Sequence, residues 1–287
     1  MRSLILGGGG MLGRALVAEG RRRGWPVLAL NRAQADVTDR QAVGGWMRAF
    51  APEVVFNCAA LTAVDACEAR RDEAMAVNGE AVAGVAAAAG EAGAALVQVS
   101  TDYVFDGGAG EPYDEAHATA PLSVYGASKR VGEERALAYE RALVVRASWL
   151  FGPGGASFVT TMLGLIDEGK VPLRVVEDQV GCPTYTPFLA GALCDLATAR
   201  ARGVVHYRNR DAVSWWQFAG EIAGLWDRRV EVLPVTTAEF PRPARRPAYS
   251  VLAVDRCERL LGRRVEHWGW GLSEFLTGLR NGRFDRN

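Results

Sequence analysis

Tyr125 and Lys129 carry the most pointed chemistry in the chain. The segment Tyr125-Gly126-Ala127-Ser128-Lys129 opens a helical pattern. Residues four apart share a helix face, so the phenol and the ammonium point the same way. An unperturbed phenol titrates at about 10, and a neighbouring cation lowers that value. Such a phenol donates a proton to a carbonyl oxygen while a hydride arrives at the carbon. The lysine has donors left over for the ribose hydroxyls of a nicotinamide nucleotide. Lysine is scarce here: of 33 basic residues only Lys129 and Lys170 are lysine, and the rest are arginine. Where either cation would serve, this chain uses arginine, which marks Lys129 as a site for a compact ammonium. Lys170 follows Gly169 at a helix end and reads as a solvated charge.

A second constellation stands at the start. Ser3-Leu4-Ile5-Leu6 reads as a buried strand, and Gly7-Gly8-Gly9-Gly10-Met11-Leu12-Gly13 follows it into a helix. The pattern Gly7-x-x-Gly10-x-x-Gly13 allows a tight turn and brings backbone N–H groups up to a pyrophosphate. The helix N-terminus adds a favourable field for the anion. Gly7, Gly10, Met11, Leu12 and Gly13 are therefore candidate dinucleotide contacts. At the end of the second strand a carboxylate would select an unphosphorylated ribose, but Asn31-Arg32 stands there. Arg32 points to a 2′-phosphate, hence to NADPH before NADH. Asp36 and Val37 follow, where they would flank an adenine.

The chain has 287 residues, with Lys+Arg and Asp+Glu both 33. That neutral balance argues against a nucleic-acid partner. No apolar run approaches the roughly 18–20 residues of a membrane span, and the N-terminus lacks a signal-peptide pattern. The expected setting is cytoplasmic. Five widely spaced cysteines without a CxxC pair read as reduced thiols. Three histidines far apart in sequence give no ligand spacing, so no metal is expected.

These residues need elements to position them. Apolar runs at residues 3–6, 26–30, 54–57, 95–100 and 142–146 alternate with helical patterns at 11–23, 41–50, 73–92 and 125–141. Runs buried on both faces and separated by helices predict a doubly wound, parallel α/β sheet of the Rossmann type. After residue 150 the rhythm loosens. Helices at 157–168, 188–200 and 273–279 and strands at 173–176 and 203–207 predict a smaller C-terminal substrate-binding lobe interleaved with the sheet. The expected division is residues 1–150 for the nucleotide and 151–287 for the substrate.

With these features together, the chain resembles the extended short-chain dehydrogenase/reductases, and among them the dTDP-4-dehydrorhamnose reductases. Pro52 to Asp65, reading PEVVFNCAALTAVD, is similar to the family's NAA(Y/L)TxVD segment. Ser100 to Gly107, STDYVFDG, matches its signature; Val145 to Gly152, Asp178 to Tyr185 and Ala244 to Ser250 resemble its RxSWx(Y/F)G, DQxGxPTY and RPxxS segments. Cys58, Leu61 and Ser123 depart from the usual Ala, Tyr and Asn in small, pocket-compatible ways. The resemblance implies an NADPH-dependent reductase of the C4 ketone of a dTDP-4-dehydro-deoxysugar, monomeric or homodimeric. It implies that Thr101, Tyr125 and Lys129 are catalytic. It places Ala59, Ala60 and Thr62 beside the nicotinamide, and Val64, Asp102, Tyr103, Trp149 and Gln179 around the sugar. Three alternatives stay open: another nucleotide-deoxysugar 4-ketoreductase, an epimerase, or a non-catalytic NADP-binding regulatory subunit such as that of methionine adenosyltransferase.

Overall fold

The apolar runs of the first half form parallel strands of one sheet. The computed structural model describes residues 1–227 and 229–285. It contains β1 (Ser3–Leu6), β2 (Val27–Leu30), β3 (Val54–Asn57), β4 (Ala95–Thr101) and β5 (Ala142–Ala147). A sixth strand, Gly203–Tyr207, comes from the second half of the chain and pairs with β5. The order across the sheet is Gly203–Tyr207, β5, β4, β3, β1, β2, all parallel. The chain reverses direction across the sheet between β1 and β3. In open α/β sheets the ligand crevice lies beyond the C-terminal strand ends at such a point. The residues there are Gly7 and the Cys58–Ala60 turn.

Helices cover both faces, as the all-apolar strands require. On one face the first helix (Met11–Arg22) and the helix Thr186–Thr198 pack Leu12, Leu16, Leu189 and Leu193 against Ile5, Phe56 and Val145. On the other, Val43, Met47, Val82, Val85 and Ala136 pack against Leu4, Val55 and Val144. A separate apolar cluster builds the C-terminal part. It joins helices Phe158–Asp167, Trp215–Trp226 and Trp268–Arg280 around Phe151, Tyr185, Phe218 and Phe275. There the strand Leu173–Val176 pairs in parallel with Val232–Val235. No helix among the described residues is long and apolar enough to cross a membrane.

The doubly wound sheet matches expectation, but several elements differ. The helix expected over residues 73–92 is present and continuous over residues 71–91, but it carries a π-helical turn, Met75–Glu80, between Arg71–Ala74 and Ala81–Glu91. The reason is Asn78, whose side chain is drawn inward by three hydrogen bonds. An inserted π turn frequently marks a functional site. The helices Val64–Ala69, Trp215–Trp226 and Asp255–Leu261 and the strand Val232–Val235 have no counterpart in the sequence pattern. The last helix starts at Trp268, five residues before the expected Ser273, capped by His267.

Candidate active site

The glycine turn lies at the switch point. Gly7 adopts φ +75°, a conformation open to glycine, and Gly10 donates its N–H to the Gly7 carbonyl at 3.0 Å. A Cβ on Gly13 would run into the Gly7 carbonyl, and one on Gly7 would lie 2.7 Å from the Ala59 nitrogen. Strand, helix and the Cys58–Ala60 turn can meet this closely only without side chains. Gly9 and Gly10 are exposed at the rim. The helix Met11–Arg22 has no capping side chain and no acidic residue in its first turn. Free first-turn N–H groups and an unopposed helix dipole suit a pyrophosphate. The cradle therefore fits a dinucleotide.

The end of β2 lies beside this turn, because Gly8 donates to the Leu30 carbonyl at 2.9 Å. Arg32 is 72% exposed there, with only long contacts to Asp36 at 3.4 Å and Glu73 at 3.6 Å. Asp36 accepts the Thr38 hydroxyl and N–H, which with Arg32 hold its carboxyl below the ordinary range. Val37 is buried in the core with Val43 and Met47. Ala59 and Ala60 are half-buried and Thr62 is exposed, in the turn that follows β3.

The helix Val124–Leu137 carries Tyr125 and Lys129. Ser123 caps it, its hydroxyl accepting the Gly126 N–H at 3.2 Å, and Glu68 accepts the Val124 N–H at 2.9 Å. Gly126 and Gly132 let this helix press on the Tyr103 and Asn78 carbonyls. Lys129 is 4% exposed, and its Nζ donates to the Val99 carbonyl at 2.6 Å. Burial brings its pKa down to about 8, against the pull of Glu133. The Tyr125 phenol is raised above its ordinary value by burial, with the Thr101 hydroxyl opposing. This corrects the expectation that Lys129 lowers the phenol: the ammonium is turned to the Val99 carbonyl, and desolvation wins.

Thr101 ends β4 next to these groups. Its hydroxyl accepts the Tyr103 N–H at 3.2 Å and donates to Asp102 Oδ1 at 3.0 Å. Burial lifts the Asp102 carboxyl to about 7, although Ser250 and Thr101 favour its charged form. The Tyr103 and Tyr125 rings meet edge to face with centroids 6.0 Å apart. Behind them Glu133 accepts two bonds from Arg146, at 2.8 and 2.7 Å, and the Ser100 hydroxyl at 2.6 Å. Arg146 in turn reaches the buried His206 at 3.2 Å. Burial and the neighbouring guanidinium bring that imidazole down to about 3, so it is neutral.

The structure thus joins Thr101, Asp102, Tyr103, Tyr125 and Lys129 around the C-terminal end of β4. Val64 opens the helix whose Asp65 grips Arg246. Trp149 has φ +48° and stacks on Trp215, ring centroids 3.4 Å apart and planes 5° apart. Gln179 is buried; its Nε2 donates to the Thr237 hydroxyl at 2.9 Å and its backbone carbonyl accepts the Trp215 backbone N–H at 3.3 Å. Arg32, Asp36 and Val37 lie apart from this group, following β2 at the edge of the sheet. Asn78 and Trp215 escape a reading of the sequence, and so does the pairing of Asp65 with Arg246, two residues that lie in the segments matched above. Asn78 clamps Leu61 through its N–H at 2.7 Å and carbonyl at 3.0 Å, and donates to Ser128 at 3.0 Å. Trp215 is signalled by its capping box, Ser214 with Gln217.

Residues 1–281 match the family described as the RmlD substrate binding domain. The chain belongs to this family. A dTDP-4-dehydrorhamnose reductase of Streptomyces griseus is 42% identical over 287 residues, covering 97% of this chain and 94% of that protein. Spore coat polysaccharide biosynthesis protein SpsK of Bacillus subtilis is 39% identical, covering 95% and 96%. Among solved structures, a dTDP-4-dehydrorhamnose reductase of Clostridium acetobutylicum superposes with a TM-score of 0.93 at 39% identity, over 98% of this chain and 100% of that one. The corresponding Bacillus anthracis enzyme, in complex with NADP, gives 0.92 at 37% identity, over 96% and 98%. The parallel sheet with the glycine turn at its switch point is the Rossmann-type architecture expected from the sequence, and the whole chain superposes on these structures.

Proposed function

We propose that the chain reduces the C4 ketone of dTDP-4-dehydro-L-rhamnose to dTDP-L-rhamnose, using NADPH in preference to NADH. The observation that carries this reading is the meeting of Thr101, Tyr125 and Lys129 beside a glycine cradle fitted to a dinucleotide. The RmlD-family relatives named for this reaction, and one solved with NADP, support it.

Gly7, Gly10, Met11, Leu12 and Gly13 hold the pyrophosphate, with Arg32 on the 2′-phosphate and Asp36 and Val37 toward the adenine. Ala59, Ala60 and Thr62 line the nicotinamide side, and Lys129 binds the ribose. A bound reduced nicotinamide supplies the hydride for C4. Thr101, its hydroxyl turned from Asp102 to the substrate, donates a hydrogen bond to the ketone oxygen, polarising it. Tyr125 gives that oxygen its proton. The raised phenol keeps Tyr125 protonated at neutral pH, as a donor must be. Val64, Tyr103, Trp149 and Gln179 shape the sugar site between the sheet and the 151–287 lobe.

The test is a spectrophotometric assay with dTDP-4-dehydrorhamnose generated in situ and each reduced cofactor in turn. The wild type oxidises NADPH when the ketone is supplied. Tyr125→Phe binds NADPH but loses turnover by about 10²–10⁴. No ketone-dependent oxidation with either cofactor, or full activity in Tyr125→Phe, overturns the reading.

A further inference from the structure

Each reduction leaves Tyr125 without its proton, and the site must return one. The Asp102 carboxyl stands one hydroxyl away. Its Oδ1 accepts the Thr101 hydroxyl at 3.0 Å, its Oδ2 is buried with no hydrogen bond of good geometry although the Ser250 hydroxyl lies close to the carboxyl, and the residue is 2% exposed. The same Thr101 hydroxyl faces the Tyr125 phenol. An ionised carboxylate with an orphaned oxygen in so dry a place is costly, whereas a carboxylic acid is not. The titratable groups facing it are the phenols of Tyr103 and Tyr125 and the Cys182 thiol, with the Ser250 hydroxyl nearby. All are neutral at pH 7. The Arg246 guanidinium, which reaches Tyr103, is held by Asp65.

We propose that Asp102 in its protonated form returns a proton to Tyr125 through the Thr101 hydroxyl. The proposal rests on the reductase reading above and adds the source of the proton. The Tyr125 O–H bond breaks as the O–H bond of the new sugar alcohol forms. The phenolate then takes the Thr101 hydroxyl proton, the hydroxyl having turned from Asp102 to the phenol, and Thr101 takes the acid proton carried on Asp102 Oδ1, the oxygen that faces it. Phenol and hydroxyl are restored, and one carboxylate remains. It recovers its proton from water once the product has left. No electrons move in the relay, and one proton is taken up per turnover, as the reduction of a ketone demands. The burial that lifts this carboxyl to about 7 keeps the acid form populated near neutrality. Asp102 need not touch the reacting carbonyl; it acts through Thr101.

The test is Asp102→Asn, which keeps the shape of the neutral acid but has no proton to give. Steady-state kinetics are followed across the neutral range, with NADPH binding as the check on folding. In the wild type kcat falls as pH rises through about 7. In the variant kcat is lower by about tenfold to hundredfold at acid pH, the fall through neutrality is gone, and the sugar KM is little changed. A raised KM with wild-type kcat, or a variant that keeps the neutral limb, overturns the relay and leaves Asp102 as a sugar contact. A second measurement needs no variant. In carbon-13 spectra of the wild type labelled at aspartate, one carboxyl titrates near neutrality, well above the others. If every aspartate titrates in the ordinary range, the relay fails. A wild type inert toward the ketone but showing that titration overturns the reductase reading instead.

Discussion

Asp65 and Arg246, 181 positions apart in sequence, grip each other through two bonds of 3.0 Å. Asp65 also accepts the Ala244 N–H at 3.2 Å, so the proline-rich segment that holds Arg246 is tied down over the helix Val64–Ala69. Burial works against the charged carboxylate, but the guanidinium outweighs it and holds Asp65 below the usual range. Such a group stabilises the fold above the unfolded carboxylate range, and the stabilisation is lost as pH falls through its folded value. Asp65→Asn should therefore melt lower than wild type at neutral pH, with the two midpoints converging in acid. Charge-assisted bonds of this kind contribute about 1.5–3 kcal/mol each. The same variant should raise the sugar KM about tenfold or more and leave NADPH binding unchanged. Equal midpoints at neutral pH would show that the pair contributes nothing.

Lys129 makes opposite predictions for stability and for binding. Its pKa of about 8 lies below the ordinary lysine value of 10.5 because the ammonium is buried. The cost of that burial is fully present below about 8 and is relieved as pH rises toward 10.5. The stability advantage of Lys129→Met over wild type should be largest at neutral pH and shrink through this window. Cofactor affinity should move the other way in wild type, falling above about 8 as the ammonium deprotonates. Lys129→Arg should lose NADPH binding, because a guanidinium does not fit where Nζ lies 2.6 Å from the Val99 carbonyl. Calorimetry and fluorescence titration against pH check both halves.

The parts that are legible in sequence are those held by local rules. Gly7 and Gly13 declare a turn that only glycine can make, and Tyr125 with Lys129 declares a helix face. Alternating apolar runs declare the parallel sheet. What is not legible depends on partners far along the chain. The Asn78 side chain sits in a π turn inside an otherwise regular Ala-rich helix, where it meets Leu61 and Ser128 in space. The rise of the Tyr125 phenol is equally invisible in a four-residue spacing, since it comes from burial by the whole fold. The Trp215–Trp226 helix is hidden by composition: two adjacent tryptophans and scattered apolar residues show no clean polar face.

Arg32 tests the cofactor preference. It is mostly exposed and weakly engaged, with Asp36 and Glu73 as distant partners, so it is free to meet a phosphate. A hydrogen-bonded Arg–phosphate pair, which NADPH can form and NADH cannot, is worth about 1.5–3 kcal/mol. Arg32→Ala should raise KM for NADPH by roughly tenfold to hundredfold and leave KM for NADH in place. If both cofactors weaken equally, the side chain supports the loop rather than the 2′-phosphate.

Trp149 is held in a conformation that a bulky residue avoids. Its φ of +48° lies in the left-handed region, and strain of that kind costs about 1–3 kcal/mol. Three contacts impose it. The Trp149 carbonyl accepts the Thr184 N–H at 3.0 Å, Gly181 leaves no room for a Cβ beside the indole, and Trp215 stacks flat against it. Aromatic pairs add about 0.5–1.5 kcal/mol beyond the area they bury, which offsets part of the strain. If the purpose is to aim the indole at the sugar, removing the stack should cost substrate affinity while the nucleotide cradle is untouched. Trp215→Leu should raise the sugar KM several-fold at unchanged NADPH affinity. Two indoles with planes 5° apart and centroids 3.4 Å apart couple excitonically, so the same variant should lose a paired band in its near-ultraviolet circular dichroism. Loss of that band without any change in KM would separate the stack from sugar recognition and leave it as packing of the C-terminal lobe.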